Sequence, residues 1–143
     1  MSTRQVSVSR VIDATPKEIF DVLADPTRHQ DFDGSGTVRS AKTSERLEMG
    51  AKFGMSMKLG VPYVIGNTVV EFVEDEQIAW RHIGRHRWRY QLEEVEGGTR
   101  VTETFDWSTA LLPRAIEIAG YPTKHPVNME KTLERLDGLV TSS

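Results

Sequence analysis

Three titratable side chains on apolar strand faces are the candidates for chemistry in this chain: Glu103, His82 and Tyr90. Glu103 alternates with Val101 and Phe105, so the three side chains are expected on one face of a strand. A carboxylate among apolar neighbours is costly unless it is paired or its pKa rises. Such a group can orient a ligand hydroxyl or act as a general acid or base.

Purely structural interpretations of these residues compete with this functional one. Glu103 can instead form a structural ion pair with Arg10, which falls on the apolar side of the first predicted strand. His82 shares a predicted inner face with Trp80, where a lone histidine is more often a hydrogen-bonded core residue than a catalyst. His82 and His86 flank a turn without an evident third ligand, so we expect no metal site and no cofactor.

The strands and helices that position these groups are predicted from hydrophobic periodicity and from turn-forming and helix-capping residues. Residues 4–12 alternate, which predicts a half-buried strand. Thr15, Pro16 and Glu18 form a capping pattern that predicts a short helix, and a second short helix is expected over 26–30. Further strands are predicted near 37–47, 51–59, 63–74, 77–84, 87–96 and 99–107.

The C-terminal part changes to helical period. Met129, Leu133, Leu136 and Val140 have the spacing of an amphipathic helix, predicted over 126–140 with Pro126 in its first turn. The preceding segment, 108–125, is predicted to be mostly irregular, with a helical turn or two at 111–119. An irregular segment of this length is often functional, and it is our candidate gate.

Composition bounds the class of protein. The 143 residues include 38% hydrophobic and 27% charged residues, no cysteine and a net charge of −3. We expect a single domain over 1–143, located in the cytoplasm, monomeric or homodimeric, without nucleic-acid binding or integral membrane association. The arginines of the segment 81–89 alternate with apolar residues, so they are expected on a solvent face balanced by Glu71 or Glu93.

Alternation also predicts which side chains share the concave face of the sheet. Aromatic and methionine side chains dominate this set, and they suit an adaptable apolar ligand surface. Taken singly, each is more often simply core. The predicted ligand-binding residues are Phe32, Phe53, Met55, Met57, Trp80, His82, Trp88, Tyr90, Glu103, Phe105, Tyr121 and Met129.

Three stretches carry a family resemblance: VSRVIDATPKEIFDVLADP at 8–26, Val69 to Phe72 leading to Ile78 to Trp80, and Gly97 to Phe105. With them the chain resembles the helix-grip superfamily (START-like, SRPBCC), in its polyketide cyclase/dehydrase and lipid-transport branch. Many relatives carry a tryptophan after the first helix pair, where this chain has Phe32. The resemblance implies an α+β fold in which a seven-stranded curved antiparallel sheet wraps a long C-terminal helix, with two short helices after strand 1 and a hydrophobic cavity.

The resemblance leaves the activity open. The first hypothesis is a protein that binds a small hydrophobic molecule, such as a lipid, polyketide or isoprenoid. The second is a cyclase/dehydrase-type enzyme that moves protons through Glu103, His82 or Tyr90. A third is an interaction module, which would use an exposed apolar patch near Tyr121.

Overall fold

The structure is a computed structural model that describes residues 4–33, 38–41, 45–59, 61–82 and 85–141, with side chains at all of these except 38–41, 56–59, 62–65 and 124. Within this part of the chain the strands are β1 (Gln5–Ile12), β2 (Val38–Ala41), β3 (Lys52–Leu59), β4 (Val61–Val73), β5 (Gln77–Arg81), β6 (Arg87–Val95) and β7 (Gly98–Asp106). The helices are α1 (Pro16–Leu23), α2 (His29–Phe32), α3 (Pro113–Ile118) and α4 (Tyr121–Thr141), and a 3-10 turn (Pro26–Arg28) leads into α2.

These seven described strands form one sheet in the spatial order β1-β7-β6-β5-β4-β3-β2, with every paired neighbour antiparallel. The predicted α+β class, with an antiparallel sheet and a C-terminal helix, is therefore confirmed. β2 is shorter than predicted, because residues 45–51 are not in a strand and the segment 42–44 lies outside the described residues.

The connection from β1 to α1 follows the predicted cap. The backbone N–H of Glu18 donates to Thr15 Oγ1 at 3.2 Å, and that hydroxyl donates to Glu18 Oε1 at 3.1 Å. Pro16 takes the first turn, where its missing N–H removes no helical bond. Ile19, Phe20 and Leu23 are the buried face of α1.

The turn between β6 and β7 closes the sheet onto β1. Gly97 and Gly98 have φ of +90° and +141°, a backbone region that side chains rarely adopt. A Cβ at Gly98 would collide with the carbonyl of Ile12, the last residue of β1. β1 pairs with β7 from Gln5 opposite Asp106 to Ile12 opposite Thr99, so the first strand lies beside the last.

α4 begins at Tyr121, five residues before the predicted start, and Pro126 lies inside it. Gly120, with φ +80°, separates it from α3. Pro122 occupies the first turn, where a missing N–H is harmless, so the helix begins there and tolerates one lost bond at Pro126. The segment 108–125, predicted to be mostly irregular, thus contains α3 and the start of α4.

The core lies between the inner face of the sheet and α4. Met129, Leu133 and Leu136 are at most 1% exposed, which confirms the predicted helical stripe. They pack in clusters that include Val101 and Phe105 of β7. None of the described helices is both long and apolar enough to cross a membrane.

Candidate functional site

Glu103 and Tyr90 form a buried hydrogen-bonded pair on the inner face of the sheet. They are directly opposite each other in the β6–β7 register and are 3% and 4% exposed. The Tyr90 hydroxyl donates to Glu103 Oε2 at 2.8 Å. Glu103 Oε1 is buried and has no hydrogen-bond partner among the described residues. One carboxyl oxygen is therefore held in place while the other has no partner in the described interior.

Burial raises the pKa of Glu103 to about 8. The hydrogen bond from Tyr90 lowers this pKa, and the charge of Asp33 raises it by a smaller amount. Burial likewise raises the pKa of the Tyr90 hydroxyl, and the Glu103 charge adds to the effect. At neutral pH the pair is therefore mostly a protonated carboxyl beside a neutral phenol. A carboxyl in this state can give or take a proton under mild conditions.

The predicted ion pair between Arg10 and Glu103 is wrong. Arg10 Nε instead donates to Asp137 Oδ2 at 2.7 Å. Arg10 lies opposite Val101 in the register, at the part of β1 that α4 reaches, whereas Glu103 lies opposite Val8. α4 therefore supplies the carboxylate that pairs with Arg10, and Tyr90 is the hydrogen-bond partner of Glu103.

A group of rings, which we name the inner ring cluster, lies beside this pair. The rings of His29 and Trp80 stack with their centroids 4.7 Å apart, and Trp80 lies 5.5 Å from Tyr90 and 5.8 Å from Phe53. All are less than 8% exposed. The members of the inner ring cluster are His29, Phe32, Phe53, Trp80 and Tyr90.

His29 was missed in the sequence. It is 5% exposed, and its Nε2 donates to the carbonyl of Leu23 at 2.9 Å. Burial lowers the pKa of His29 to about 4, so the ring is neutral at pH 7. The four residues of α2 are too few to show a helical period, and the one available signal was that His29 and Phe32 are three residues apart.

A second group, the histidine cluster, lies where the start of α4 faces the ends of β5 and β6. His82 and His86 have ring centroids 5.0 Å apart, and Phe105 lies 5.5 Å from His86 and 4.6 Å from His125. Tyr121 stacks on His125 at 5.2 Å. The members of the histidine cluster are His82, His86, Trp88, Phe105, Tyr121 and His125.

The histidines of this cluster are neutral at pH 7. Burial is the largest cause that lowers the pKa of each, to about 4 for His82 and His125, and the charge of His86 adds to the effect on both. The Nδ1 atoms of His82 and His86 are buried without a hydrogen-bond partner in the described part of the chain. Among the described residues no three histidines or carboxylates are placed to hold a metal ion.

Asn67 is a further interior polar group that the sequence did not reveal. It lies opposite Phe53 in the β3–β4 register and is 4% exposed. Its Oδ1 has no partner within the described residues. Within the described part of the chain, four side chains of the inner face or its flanking turns therefore have a buried polar atom without a hydrogen-bond partner: Asn67, His82, His86 and Glu103.

Eight of the twelve predicted ligand-binding residues belong to these two groups, whereas Met55, Met57, Glu103 and Met129 belong to neither. Phe32, Phe53, Met55, Trp80, Tyr90, Glu103, Phe105 and Met129 are buried, and His82 and Trp88 are half-buried. Tyr121 is 45% exposed at the first turn of α4. The side chain of Met57 lies outside the described residues. Of the catalytic candidates, Tyr90 and Glu103 are bonded to each other, whereas His82 contacts His86 in the other group.

The inner rings contact one another, with centroids between 4.7 and 6.4 Å apart. The predicted hydrophobic cavity stays a prediction. A cleft of about 300 Å³ lies on the opposite, outer face of the sheet. Polar side chains dominate its lining, among them Gln77, Gln91, Glu93, Arg100 and Thr102.

The arginines of the outer face are neutralised by carboxylates. Arg87 donates to Glu71 at 2.7 Å, and Arg89 donates to both Glu71 oxygens at 2.8 Å and to Asp106 at 3.1 Å. The bond from Arg89 is the largest cause that lowers the pKa of Glu71 to about 2. The prediction that Glu71 balances the arginines of this segment is confirmed for Arg87 and Arg89.

Comparison with known proteins gives a family-level match. The family model described as polyketide cyclase / dehydrase and lipid transport matches residues 3–140. Uncharacterized proteins of two Mycobacterium tuberculosis strains, H37Rv and CDC 1551, are 39% and 38% identical over 139 residues, which is 92% of this chain. The chain spans 62% of the length of each of these relatives.

Solved structures agree with the fold. The crystal structure of protein CV1439 from Chromobacterium violaceum has a TM-score of 0.74 at 19% identity and covers 97% of this chain and 99% of its own. The solution structure of an AHSA1-like protein from Aeromonas hydrophila has a TM-score of 0.65 at 17% identity and covers 97% of both chains. At these identities the likeness concerns the fold alone.

Proposed function

The chain belongs to the polyketide cyclase / dehydrase and lipid transport family, and we propose that it binds a small hydrophobic molecule between the sheet and α4. The proposed ligand is of lipid, polyketide or isoprenoid type, and residues 1–143 are proposed to act as one domain. One observation carries the proposal: Glu103 Oε1 is buried without a described partner in an interior lined by rings. Such an atom costs about 1–3 kcal/mol. A ligand hydroxyl or carbonyl that bonds to it removes that cost.

The lining supports an apolar guest. Phe53, Met55 and Trp80 are buried on the inner face, and rings and thioethers offer flat or adaptable contacts. Each apolar carbon that moves from water into such a lining gains about 0.8 kcal/mol per CH₂. Binding is therefore favourable when the free energy gained by burying the ligand exceeds the cost of separating rings that contact one another in the structure.

α3 and the first turn of α4 are the proposed entrance. α3 contains no buried residue, and Ile118 is 84% exposed. Glu117 connects it to the rest of the fold by accepting from Trp107 Nε1 at 2.8 Å and from Arg4 Nε at 3.2 Å. A helix with few buried contacts opens at low free-energy cost, and its displacement uncovers the histidine cluster.

A second candidate function is catalysis of the cyclase/dehydrase type, which the chemistry of Glu103 favours. A carboxyl with a pKa of about 8 matches general acid–base work near neutral pH. In its protonated form Glu103 would donate to a developing alkoxide, and in its ionised form it would accept a proton from a carbon next to a carbonyl. Tyr90 would hold the carboxyl in one orientation.

The first experiment is native mass spectrometry of the purified protein, to detect a co-purified small molecule. Displacement of an environment-sensitive naphthalene dye by lipid, polyketide and isoprenoid compounds then measures affinity. We expect saturable displacement by at least one class. Absence of dye binding and of displacement by every class would contradict the proposal.

Glu103→Gln separates binding from catalysis, because the amide keeps an oxygen for the Tyr90 hydroxyl but cannot titrate. A binding protein keeps its ligand with a modest loss of affinity. An enzyme keeps its binding and loses turnover by about 10²–10⁴-fold. The matched control is Glu93→Gln on the outer face of β6, where Glu93 is exposed and 3.5 Å from Arg100.

A further inference from the structure

Two neighbouring rings of the histidine cluster each have a nitrogen that the described residues leave without a partner. His82 and His86 have ring centroids 5.0 Å apart and planes at 70°, and the Nδ1 of each is buried without a described partner. Unpartnered buried nitrogens are rare in native structures and point to a missing bonding group. Two such nitrogens on neighbouring rings suit a ligand group that carries two oxygens.

The titratable groups that face these rings are the other histidines. His86, which precedes β6, lowers the pKa of His82 and the pKa of His125 in α4. The carboxylates of Asp106 and Glu117 are engaged by other groups, Asp106 by Ser108 and Arg89 and Glu117 by Trp107 and Arg4. Within the described residues, no carboxylate raises the pKa of His82, His86 or His125.

Cross-strand neighbours connect the histidine cluster with the inner ring cluster. Trp88 lies 4.7 Å from Phe105 and opposite Trp80 in the β5–β6 register. Trp80 belongs to the inner ring cluster, next to Tyr90 and Glu103. A molecule whose polar end sits at His82 and His86 can therefore extend its apolar body along Trp88 toward Trp80.

From this arrangement, and resting on the proposed function, we infer that the ligand is an amphipathic carboxylic acid whose carboxyl group bonds to His82 and His86 while its apolar body lies along the rings of Trp88 and Phe105. The proton balance is simple. An un-ionised acid transfers its proton to one imidazole, giving a carboxylate beside an imidazolium. An acid that arrives ionised is matched by an imidazole that takes up one proton from the buffer, so the bound pair is neutral in either case.

The test compares dodecanoate with methyl dodecanoate, which has the same chain but no acidic proton and no charge. Affinities are measured by dye displacement at a pH of about 7. We expect the acid to bind at least about tenfold more tightly than the ester. In His86→Gln this preference is expected to fall below about threefold, because the acid loses more affinity than the ester.

Arg85→Gln is the matched control. Arg85 is exposed and adjacent to His86, so it would attract an acid from solution without belonging to the cluster. We expect this variant to keep the preference for the acid. If Arg85→Gln abolishes the preference and His86→Gln does not, the acid is held at the surface and the inference is wrong.

Nitrogen NMR of the wild-type protein gives a readout that needs no variant. Dodecanoate should shift the ring signals of His82 or His86 toward those of an imidazolium, and the methyl ester should not. Equal affinity of acid and ester, or unchanged histidine signals, overturns this inference and leaves the proposed function standing. Failure of both probes and of every other compound class to bind overturns the proposed function as well.

Discussion

The inner ring cluster and the histidine cluster are built from the same residue types but differ in how their polar atoms are satisfied. His29 and His82 both have a pKa of about 4 because burial disfavours the charged ring. His29 donates to the Leu23 carbonyl, whereas His82 Nδ1 has no described partner. His29 is 5% exposed, and His82 is half-buried.

This difference predicts that the two clusters contribute differently to stability and to ligand recognition. In the inner ring cluster, the bond from His29 to Leu23 and the stacking of His29 on Trp80 close α2 over the sheet. In the histidine cluster, polar atoms without described partners carry a cost that a ligand can remove. The first region is expected to contribute more to the free energy of unfolding, and the second to contribute more to the preference for an acidic ligand.

The largest expected effect is the loss of Trp80. Trp80→Ala removes the ring that contacts His29, Phe53 and Tyr90 and should lower the free energy of unfolding by about 3–5 kcal/mol. Tyr121→Ala, in the exposed part of the histidine cluster, should cost less than about 1 kcal/mol. Urea denaturation measures both. Similar losses would erase the distinction between the regions.

The next effect is a pH dependence from Glu103. Its pKa is about 8 in the folded protein, above the ordinary value of 4.5. The stabilisation from its protonated form is therefore complete below 4.5 and lost as the pH rises through about 8, at up to about 1.4 kcal/mol per pH unit. Glu103→Gln should flatten this slope between these limits. A wild-type slope that persists in Glu103→Gln would assign it to other groups.

The histidine cluster should give a weaker slope of opposite sign. The pKa of His82 is about 4 in the folded protein against an ordinary 6.5, so its stabilisation is complete above 6.5 and lost as the pH falls through about 4. His82 is half-buried, so we expect a loss of about 1 kcal/mol between neutral pH and pH 5. Thermal unfolding of His82→Gln should show less acid sensitivity than wild type. Equal sensitivity would contradict this assignment.

The smallest effect on stability is expected at the proposed entrance. Ile118 is 84% exposed, so Ile118→Ser should change the free energy of unfolding by no more than about 0.5 kcal/mol. If α3 gates the interior, ligand exchange measured by stopped-flow dye release should nevertheless change. Exchange rates identical to wild type would count against α3 as the entrance.

Strand alternation was the most informative sequence signal. It placed Tyr90, Glu103 and Phe105 on the inner face, where the structure has them. Alternation could not identify Asp137 as the partner of Arg10, because Asp137 lies on α4. The local hydrophobic periodicity of a helix does not specify its path over the sheet. Phe32 was predicted as a lining residue, but His29 was missed because its burial depends entirely on how α2 packs.

The start of α4 shows a second limit. Prolines at both 122 and 126 fit a first turn, and local preference alone does not choose between them. The choice is made by Tyr121 and His125, which stack on each other within the first turns of the helix and pack toward Phe105. Tertiary ring contacts therefore decided a boundary that capping rules left open.

The neighbouring positions of β1 and β7 have a consequence for biosynthesis. Of the seven described strands, β1 is synthesised before the others, whereas its hydrogen-bonding partner, from Thr99 to Asp106, is synthesised after them. Pairing across so long a stretch of chain is entropically costly and slow. Val6, Val8 and Ile12 therefore cannot pair with β7 until most of the sheet has been synthesised, and until then they are exposed to misassembly.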